Sequence, residues 1–158
     1  MKVNQLEKTA NAINLNLRRD RKALILKIPV PIVYTQRGLI AQTSTVDYAG
    51  LIGGGKFIAY DAKETEIKTR FPLANIHQHQ LLYLEMVKEL GGIAFFLIHF
   101  KKIHPTKVYI TPLSIITKYW YDDEGRRCLP FKDFKNEWLT EPEHYLTKVK
   151  KLCSQKIV

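Results

Sequence analysis

Residues 43–64 hold two β-type runs on either side of three consecutive glycines, and this stretch restricts the fold more than any other. The first run is rich in apolar residues up to Ile52, and the second begins at Phe57. Glycine adopts the positive φ angles of a tight turn without steric cost. Gly53–Gly55 therefore predicts the turn of a β-hairpin.

The predicted hairpin brings several polar side chains onto one face, because alternate residues of a strand share a face. This spacing groups Thr45 with Asp47 on the first run. It groups Asp61 with Lys63 on the second run. In the simplest register two carboxylates, a hydroxyl and an ammonium converge. Carboxylates suit a hard divalent cation, so the patch predicts metal-assisted phosphodiester hydrolysis.

An acidic residue two positions before a lysine is a weak signal on its own, because short motifs recur by chance. The chain contains four such triplets, which begin at Asp20, Asp61, Glu66 and Asp133. Only the triplet at Asp61 ends an apolar β-type run whose partner run carries another acid. A solvated strand end with an Asp–Lys neighbour pair is the alternative interpretation.

Three longer motifs stand in order along the chain: STVDY at residues 44–48, YDAKE at residues 60–64 and FPLANIHQHQ at residues 71–80. Together they resemble the RecU family of Holliday junction resolvases, which belong to the PD-(D/E)xK nucleases. The likeness begins near Leu6 and fades beyond about Gly92. It also includes Asn11, Asn14, Arg18, Lys27, Pro29 and Pro31. The resemblance implies an α/β fold of the restriction-endonuclease-like type, with a mixed β-sheet flanked by α-helices.

The resemblance also implies the site residues and the cofactor. The implied catalytic residues are Asp47, Asp61, Lys63 and Gln80. The implied ligands of one or two Mg²⁺ ions, with Mn²⁺ as a substitute, are Thr45, Asp47, Asp61 and the Ala62 carbonyl. Without the resemblance, Gln80 would be interpreted as an exposed helix glutamine. Glu7 either caps the first helix or approaches the metal as a third acid.

The formal net charge of +10 favours a polyanionic partner and salt-sensitive association. The basic residues are spread over both halves of the chain, which favours a folded basic surface over a disordered arm. A basic surface without such a partner is the alternative. We predict DNA contacts at Arg37, Lys56, Lys68 and Arg70.

Residues 32–42 predict a short hairpin with Arg37 and Gly38 at its tip. In RecU proteins a protruding β stalk occupies this region and enters the central opening of the junction, and here it is shorter. The resemblance implies resolution of Holliday junctions by paired symmetrical nicks. A nuclease acting on other branched or duplex DNA, and a non-catalytic DNA-binding module, are the alternatives.

Two matched cuts require two equivalent sites, so we expect a homodimer with two-fold symmetry. RecU proteins also modulate a recombinase. This chain begins almost at its first helix and lacks the longer basic tail of those relatives, so an interaction with a recombinase stays open.

Apolar periodicity and turn residues predict the remaining elements. Asn4 and Glu7 predict a capping box. The predicted helices are residues 4–20, 75–90, 112–121 with Thr111 as N-cap, and a last helix capped from Thr140. The predicted strands are residues 23–28, 93–100 and 107–111, the first two buried. The pattern of residues 131–139 does not decide between a helix and irregular structure.

Aromatic and histidine clusters have less specific interpretations. His77 and His79 lack the spacing of helical metal ligands, because residues two apart on a helix point in different directions. We therefore predict that both are surface or DNA-facing residues. For residues 119–121, core packing is favoured over stacking on bases.

The length of 158 residues suits a single nuclease domain over residues 1–158. We expect no signal peptide and no membrane span, because no apolar run is long enough. Cys128 and Cys153 have no zinc-type spacing. A cytoplasmic protein with reduced thiols is therefore expected.

Overall fold

A six-stranded mixed sheet forms the centre of the fold in the computed structural model, which describes residues 4–158. The helices are α1 (Gln5–Arg19), α2 (Gln78–Glu89), α3 (Leu113–Trp120) and α4 (Tyr145–Ser154). The strands are β1 (Ala23–Lys27), β2 (Ile32–Thr35), β3 (Gly38–Ala41), β4 (Tyr48–Ile52), β5 (Lys56–Thr65), β6 (Arg70–Pro72), β7 (Ile93–Phe100), β8 (Val108–Pro112), β9 (Cys128–Pro130) and β10 (Leu139–Thr140). The sheet order is β1-β4-β5-β7-β8-β10, while β2–β3 and β6–β9 form separate ribbons. The predicted α/β fold, a mixed sheet flanked by helices, is confirmed.

Strands β4 and β5 form the predicted hairpin, with Tyr48 opposite Tyr60. Gly54 and Gly55 in its turn have φ angles of 79° and 70°, which side chains other than glycine rarely adopt. Strand β5 pairs in parallel with β7, whose continuous apolar sequence is buried as predicted. The start of β4 therefore lies beside the middle of β5, where Asp61 is located.

Strand β1 was expected to be a buried strand, and this prediction is wrong for one of its faces. Ile25 is buried, but the neighbouring Leu24 and Leu26 are 48% and 49% exposed. The reason is position: β1 is at the edge of the sheet, and α1 packs against only one of its faces.

Helix α1 agrees with its prediction, but its cap differs in one respect. Asn4 Oδ1 accepts a hydrogen bond from the Glu7 backbone N–H at 2.7 Å, as a capping residue should. The reciprocal bond of the predicted capping box does not form, because the Glu7 carboxylate contacts Lys27 instead.

A buried polar network holds α1 against the rest of the fold. Asn14 donates to the Tyr60 hydroxyl at 2.8 Å and accepts from the Tyr145 hydroxyl at 2.5 Å. These three residues belong to α1, β5 and α4, so one satisfied cluster joins three elements.

Helix α2 begins at Gln78 and not near residue 75, as the apolar pattern predicted. Leu73–Asn75 form a 3₁₀ turn, and His77 is still extended with a ψ of 142°. Gly91 ends the helix with a φ of 88°, as predicted. Leu90, which was predicted on the buried face, is 83% exposed because it lies beyond the last turn.

The caps of the last two helices were also predicted wrongly. Thr111 remains in β8, and Pro112 is the N-cap of α3. Thr140 pairs with Val108 in the sheet, and a 3₁₀ turn at Pro142–His144 precedes α4. At both positions pairing with a neighbouring strand prevails over the local capping preference.

Residues 131–139, which the sequence left unassigned, form two 3₁₀ turns and the start of β10. Tyr119 is buried and Trp120 packs against the core, as predicted, whereas Tyr121 is exposed. Cys128 and Cys153 are free thiols. No helix within residues 4–158 is both long and apolar enough to cross a bilayer.

Candidate active site

The hairpin register brings Asp47 and Asp61 together. The backbone N–H of Asp47 donates to Asp61 Oδ1 at 3.1 Å, and the backbone N–H of Ala62 donates to Asp47 Oδ2 at 2.9 Å. Each carboxylate therefore accepts a backbone hydrogen bond from the segment that carries the other. This reciprocal arrangement fixes both side chains at the junction of β4 and β5.

Lys63 lies on the same face of β5 as Asp61, with its Nζ 2.7 Å from Asp61 Oδ2. The Asp61 side chain is fully buried, and its Oδ2 receives no regular hydrogen bond besides this ion pair. Burial, and after it the charge of Asp47, raise the pKa of Asp61 to about 7 against the opposing effect of Lys63.

Gln80 connects Asp61 to the start of α2. Its Nε2 donates to Asp61 Oδ1 at 3.0 Å, and its Oε1 accepts from the His77 backbone N–H at 3.1 Å. The two bonds fix the orientation of the amide. The glutamine therefore reaches the acidic pair, as the resemblance implied.

Lys27 joins Glu7 to the same site. Its Nζ is 2.6 Å from Glu7 Oε2 and 3.7 Å from Asp47 Oδ1. Glu7 thus stands near the aspartates through a shared lysine. Sequence reasoning missed the place of Lys27 in the site, because Lys27 comes near Asp47 only through the pairing of β1 with β4.

Glu64 is a second residue that sequence reasoning missed. Its Oε1 accepts from the Leu6 backbone N–H at 2.7 Å, so it ties the first turn of α1 to β5. A carboxylate at a helix N-terminus also complements the helix dipole. Its neighbour Lys101 lies 3.7 Å from Glu64 Oε2. A cleft of about 450 Å³ is lined by Asn4, Glu7, Asp47, Lys63, Glu64 and Lys101, among others.

The other predicted site residues are more dispersed. Thr45 is exposed in a bend before β4 and not in a strand, because strand pairing begins only at Tyr48. Lys68 and Arg70 are exposed just beyond β5, and Arg37 is exposed at the turn between β2 and β3. Lys56 begins β5, about 17 Å along the strand from Asp61 at roughly 3.3 Å per residue.

A divalent cation fits the acidic pair. Within residues 4–158 no group of three or more His, Cys, Asp or Glu side chains is arranged to hold a metal ion. Mg²⁺, however, usually takes only one or two carboxylates and completes its shell with waters and substrate phosphates. The buried Asp61 Oδ2, which lacks a regular hydrogen bond, is a suitable oxygen for such an ion.

Comparison with known proteins identifies the family. The model of the RecU family, described as Recombination protein U, matches residues 2–153. The chain belongs to the RecU family. The predicted resemblance is confirmed, and the match continues well beyond Gly92, where the recognisable motifs end.

Relatives within the RecU family cover most of this chain. The protein from Lactococcus lactis subsp. lactis named Holliday junction resolvase RecU is 36% identical, over 93% of this chain and 76% of the relative. The protein of the same name from Oenococcus oeni is 38% identical, over 80% of this chain and 70% of the relative. The protein of the same name from Oceanobacillus iheyensis is 34% identical, over 94% of this chain and 82% of the relative.

Proposed function

We propose that this RecU-family protein is a structure-specific endonuclease that resolves four-way DNA junctions by paired nicks. The observation that carries the proposal is the reciprocal pairing of Asp47 and Asp61, with the Lys63 ammonium 2.7 Å from Asp61. Relatives named Holliday junction resolvase support the choice of substrate.

The proposed cofactor is Mg²⁺, with Mn²⁺ as a substitute. Asp47 and Asp61 would hold it, with the Ala62 carbonyl and the Thr45 hydroxyl as further oxygen donors. When bound, such an ion lowers the pKa of a coordinated water and offsets negative charge on the phosphate.

Lys63 and Gln80 have separate roles in this proposal. The Lys63 ammonium places a positive charge next to the buried Asp61 carboxylate. From this position the ammonium orients the attacking water and stabilises the negative charge that develops on the phosphate. The family resemblance implies that Gln80 is a catalytic residue. Because both ends of its amide bind protein groups, we assign it instead to holding Asp61 in place.

Paired nicks imply a homodimer, because a junction presents two symmetry-related strands. Strand β1 is an open edge of the sheet. Leu24, Leu51 and Phe57 lie opposite one another in register beside that edge and are 48%, 45% and 38% exposed. We assign this apolar row to the interface with a second copy of the chain.

The deciding experiment is incubation with a labelled immobile four-way junction, with and without Mg²⁺. Asp47→Asn and Asp61→Asn should each abolish nicking while junction binding persists, since binding depends on the basic surface. Asp20→Asn is the matched control, because Asp20 begins another acid-x-Lys triplet, is exposed and lies at the far end of α1. Cation-dependent nicking by either site variant would remove the site assignment.

Nicking of other branched or duplex DNA is the second candidate. It is favoured by the small stalk ribbon, in which β2 and β3 have four residues each. A linear duplex of the same sequence as one junction arm separates the two proposals. Equal nicking rates on duplex and junction would support the second candidate.

A further inference from the structure

His77 and His79 form a stacked pair of rings beside the acidic site. Their ring centroids are 5.5 Å apart and their planes differ by 10°. The expectation that these side chains diverge is wrong because α2 begins only at Gln78, so His77 is extended while His79 is helical. The two imidazoles thus form a stacked aromatic pair at the start of α2.

Hydrogen bonds hold the backbone of His77 close to Asp61. Gln80 accepts from the His77 backbone N–H and donates to Asp61 Oδ1. One glutamine side chain therefore separates the histidine pair from the buried carboxylate. The backbone at His77 cannot move away from the acidic site without breaking one of these bonds.

The surroundings of the pair leave it open to a ligand. His77 is exposed and His79 is half-buried. Within residues 4–158 neither ring pairs with a carboxylate. Burial lowers the pKa of His79, and nearby His77 and Lys63 lower it further, while a hydrogen bond to the Ser44 backbone opposes the shift. The lowered pKa of His79 favours its neutral imidazole, which is an aromatic surface more than an ionic partner.

We propose that His77 and His79 form a stacking platform for the nucleobase next to the scissile phosphate. The inference rests on the proposed nuclease function and adds to it a substrate-positioning group. Unstacked bases lie face to face on aromatic side chains in proteins that bind single strands, and a base that unstacks at the crossover would lie on this pair in the same way. A base held on this platform would fix the register of the backbone over Asp47 and Asp61.

The test measures binding and base position separately from cleavage. Binding to an immobile junction is measured in EDTA, with 2-aminopurine next to the cut position as a fluorescent reporter of stacking. The wild type should quench the reporter. His77→Ala should reverse the quenching and weaken binding by about tenfold, the order expected for loss of one base stack. Gln78→Ala is the matched control, because Gln78 lies between the two histidines and is exposed.

Replacement by other side chains distinguishes stacking from charge. His77→Phe retains an aromatic face and should keep both the quenching and the affinity, whereas His77→Gln retains only polarity and should lose them. Loss in the Phe variant, together with retention in a His77→Lys variant, would overturn the platform. If the wild type neither binds nor nicks the junction, the proposed function fails. If it does both and His77→Ala behaves like the wild type, only the platform fails.

Discussion

At the residue scale, Asp61 carries a cost of burial that the fold must offset. The ionised carboxylate has no contact with bulk water and faces the charge of Asp47, which is why its pKa is raised to about 7. Lys63 compensates for only part of this cost. Catalytic groups often have such perturbed pKa values, because the burial that adjusts a pKa for catalysis also destabilises the fold.

Asp61→Asn should therefore stabilise the metal-free protein. Between about pH 4 and pH 7 the unfolded chain loses this proton before the folded protein does, so wild-type stability declines as pH rises. The gain in the variant should be about 1 kcal/mol at pH 4.5 and about 4 kcal/mol at pH 8, because the pKa shift from 3.8 to about 7 already includes the ion pair with Lys63. Urea unfolding in EDTA at the two pH values measures it.

The control for this prediction is Asp20→Asn, which removes an exposed carboxylate and should have no effect at either pH. A loss of stability in Asp61→Asn at pH 8 would contradict it. Such a loss would mean that the Asp61–Lys63 pair contributes more than the desolvation of the carboxylate costs.

The sequence could predict part of the site at this scale. The two-residue period of strands was enough to place Asp61 beside Lys63 and to bring both toward Asp47. Lys27 and Glu64 could not be found this way. Lys27 reaches the site through the pairing of β1 with β4, and Glu64 reaches α1 across 58 residues of sequence. Such contacts depend on tertiary packing and have no local signal.

At the element scale, three helices end in the same hydrogen-bonding pattern with different residues in the left-handed position. Arg21 after α1 has a φ of 54°, Gly91 after α2 has 88°, and Lys156 after α4 has 58°. In each case two backbone N–H groups return to carbonyls of the last turn. Side chains at such φ angles are disfavoured, whereas glycine is not.

Arg21→Gly and Lys156→Gly should each stabilise the protein by about 0.5–1 kcal/mol, because each relieves a left-handed backbone strain. Gly91→Ala should destabilise it by a similar amount. Nothing lies within 4 Å of a Cβ placed at Gly91, so the stability change in Gly91→Ala reports the backbone strain alone and no steric clash. Thermal unfolding of the three variants checks the signs. Stabilisation by Gly91→Ala would contradict the argument.

Helix ends also show what local sequence can predict. The end of α2 was predicted correctly from Gly91, because glycine readily adopts the left-handed conformation that ends a helix. The start of α2 was predicted about three residues early, because Ile76 continues the apolar pattern although its backbone is extended. Here the side chain of Gln80 sets the boundary by binding the His77 N–H.

At the scale of the whole molecule, the net charge of +10 should make DNA affinity depend steeply on salt. Lys68→Ala and Arg70→Ala remove exposed charges just beyond β5. Each should reduce the slope of log affinity against log salt concentration by about one, without changing preference among sequences. Titrations at four salt concentrations measure the slope. A flat plot for the wild type would exclude the basic surface as the DNA contact.

Overall architecture was partly accessible from sequence for a physical reason. The hairpin and the buried strand β7 have strong local patterns, and the family resemblance supplied the mixed sheet. The order of strands was not accessible, because the parallel pairing of β5 with β7 and the placement of β10 beside β8 join distant segments. The edge position of β1 follows from that order, and with it the exposed apolar row.

The apolar row leads to a prediction about assembly. Leu51→Glu places a charge between Leu24 and Phe57 and should convert the proposed dimer to monomers in sedimentation experiments. The matched control is Leu82→Glu on α2, because Leu82 is 49% exposed and Leu51 is 45% exposed.

A supercoiled plasmid with an extruded cruciform reports the consequence for cleavage, since two paired nicks linearise the plasmid and a single nick only relaxes it. The Leu51 variant should relax the plasmid without linearising it, while the Leu82 variant linearises it. Linear product from a monomeric Leu51 variant would show that paired cutting needs no dimer.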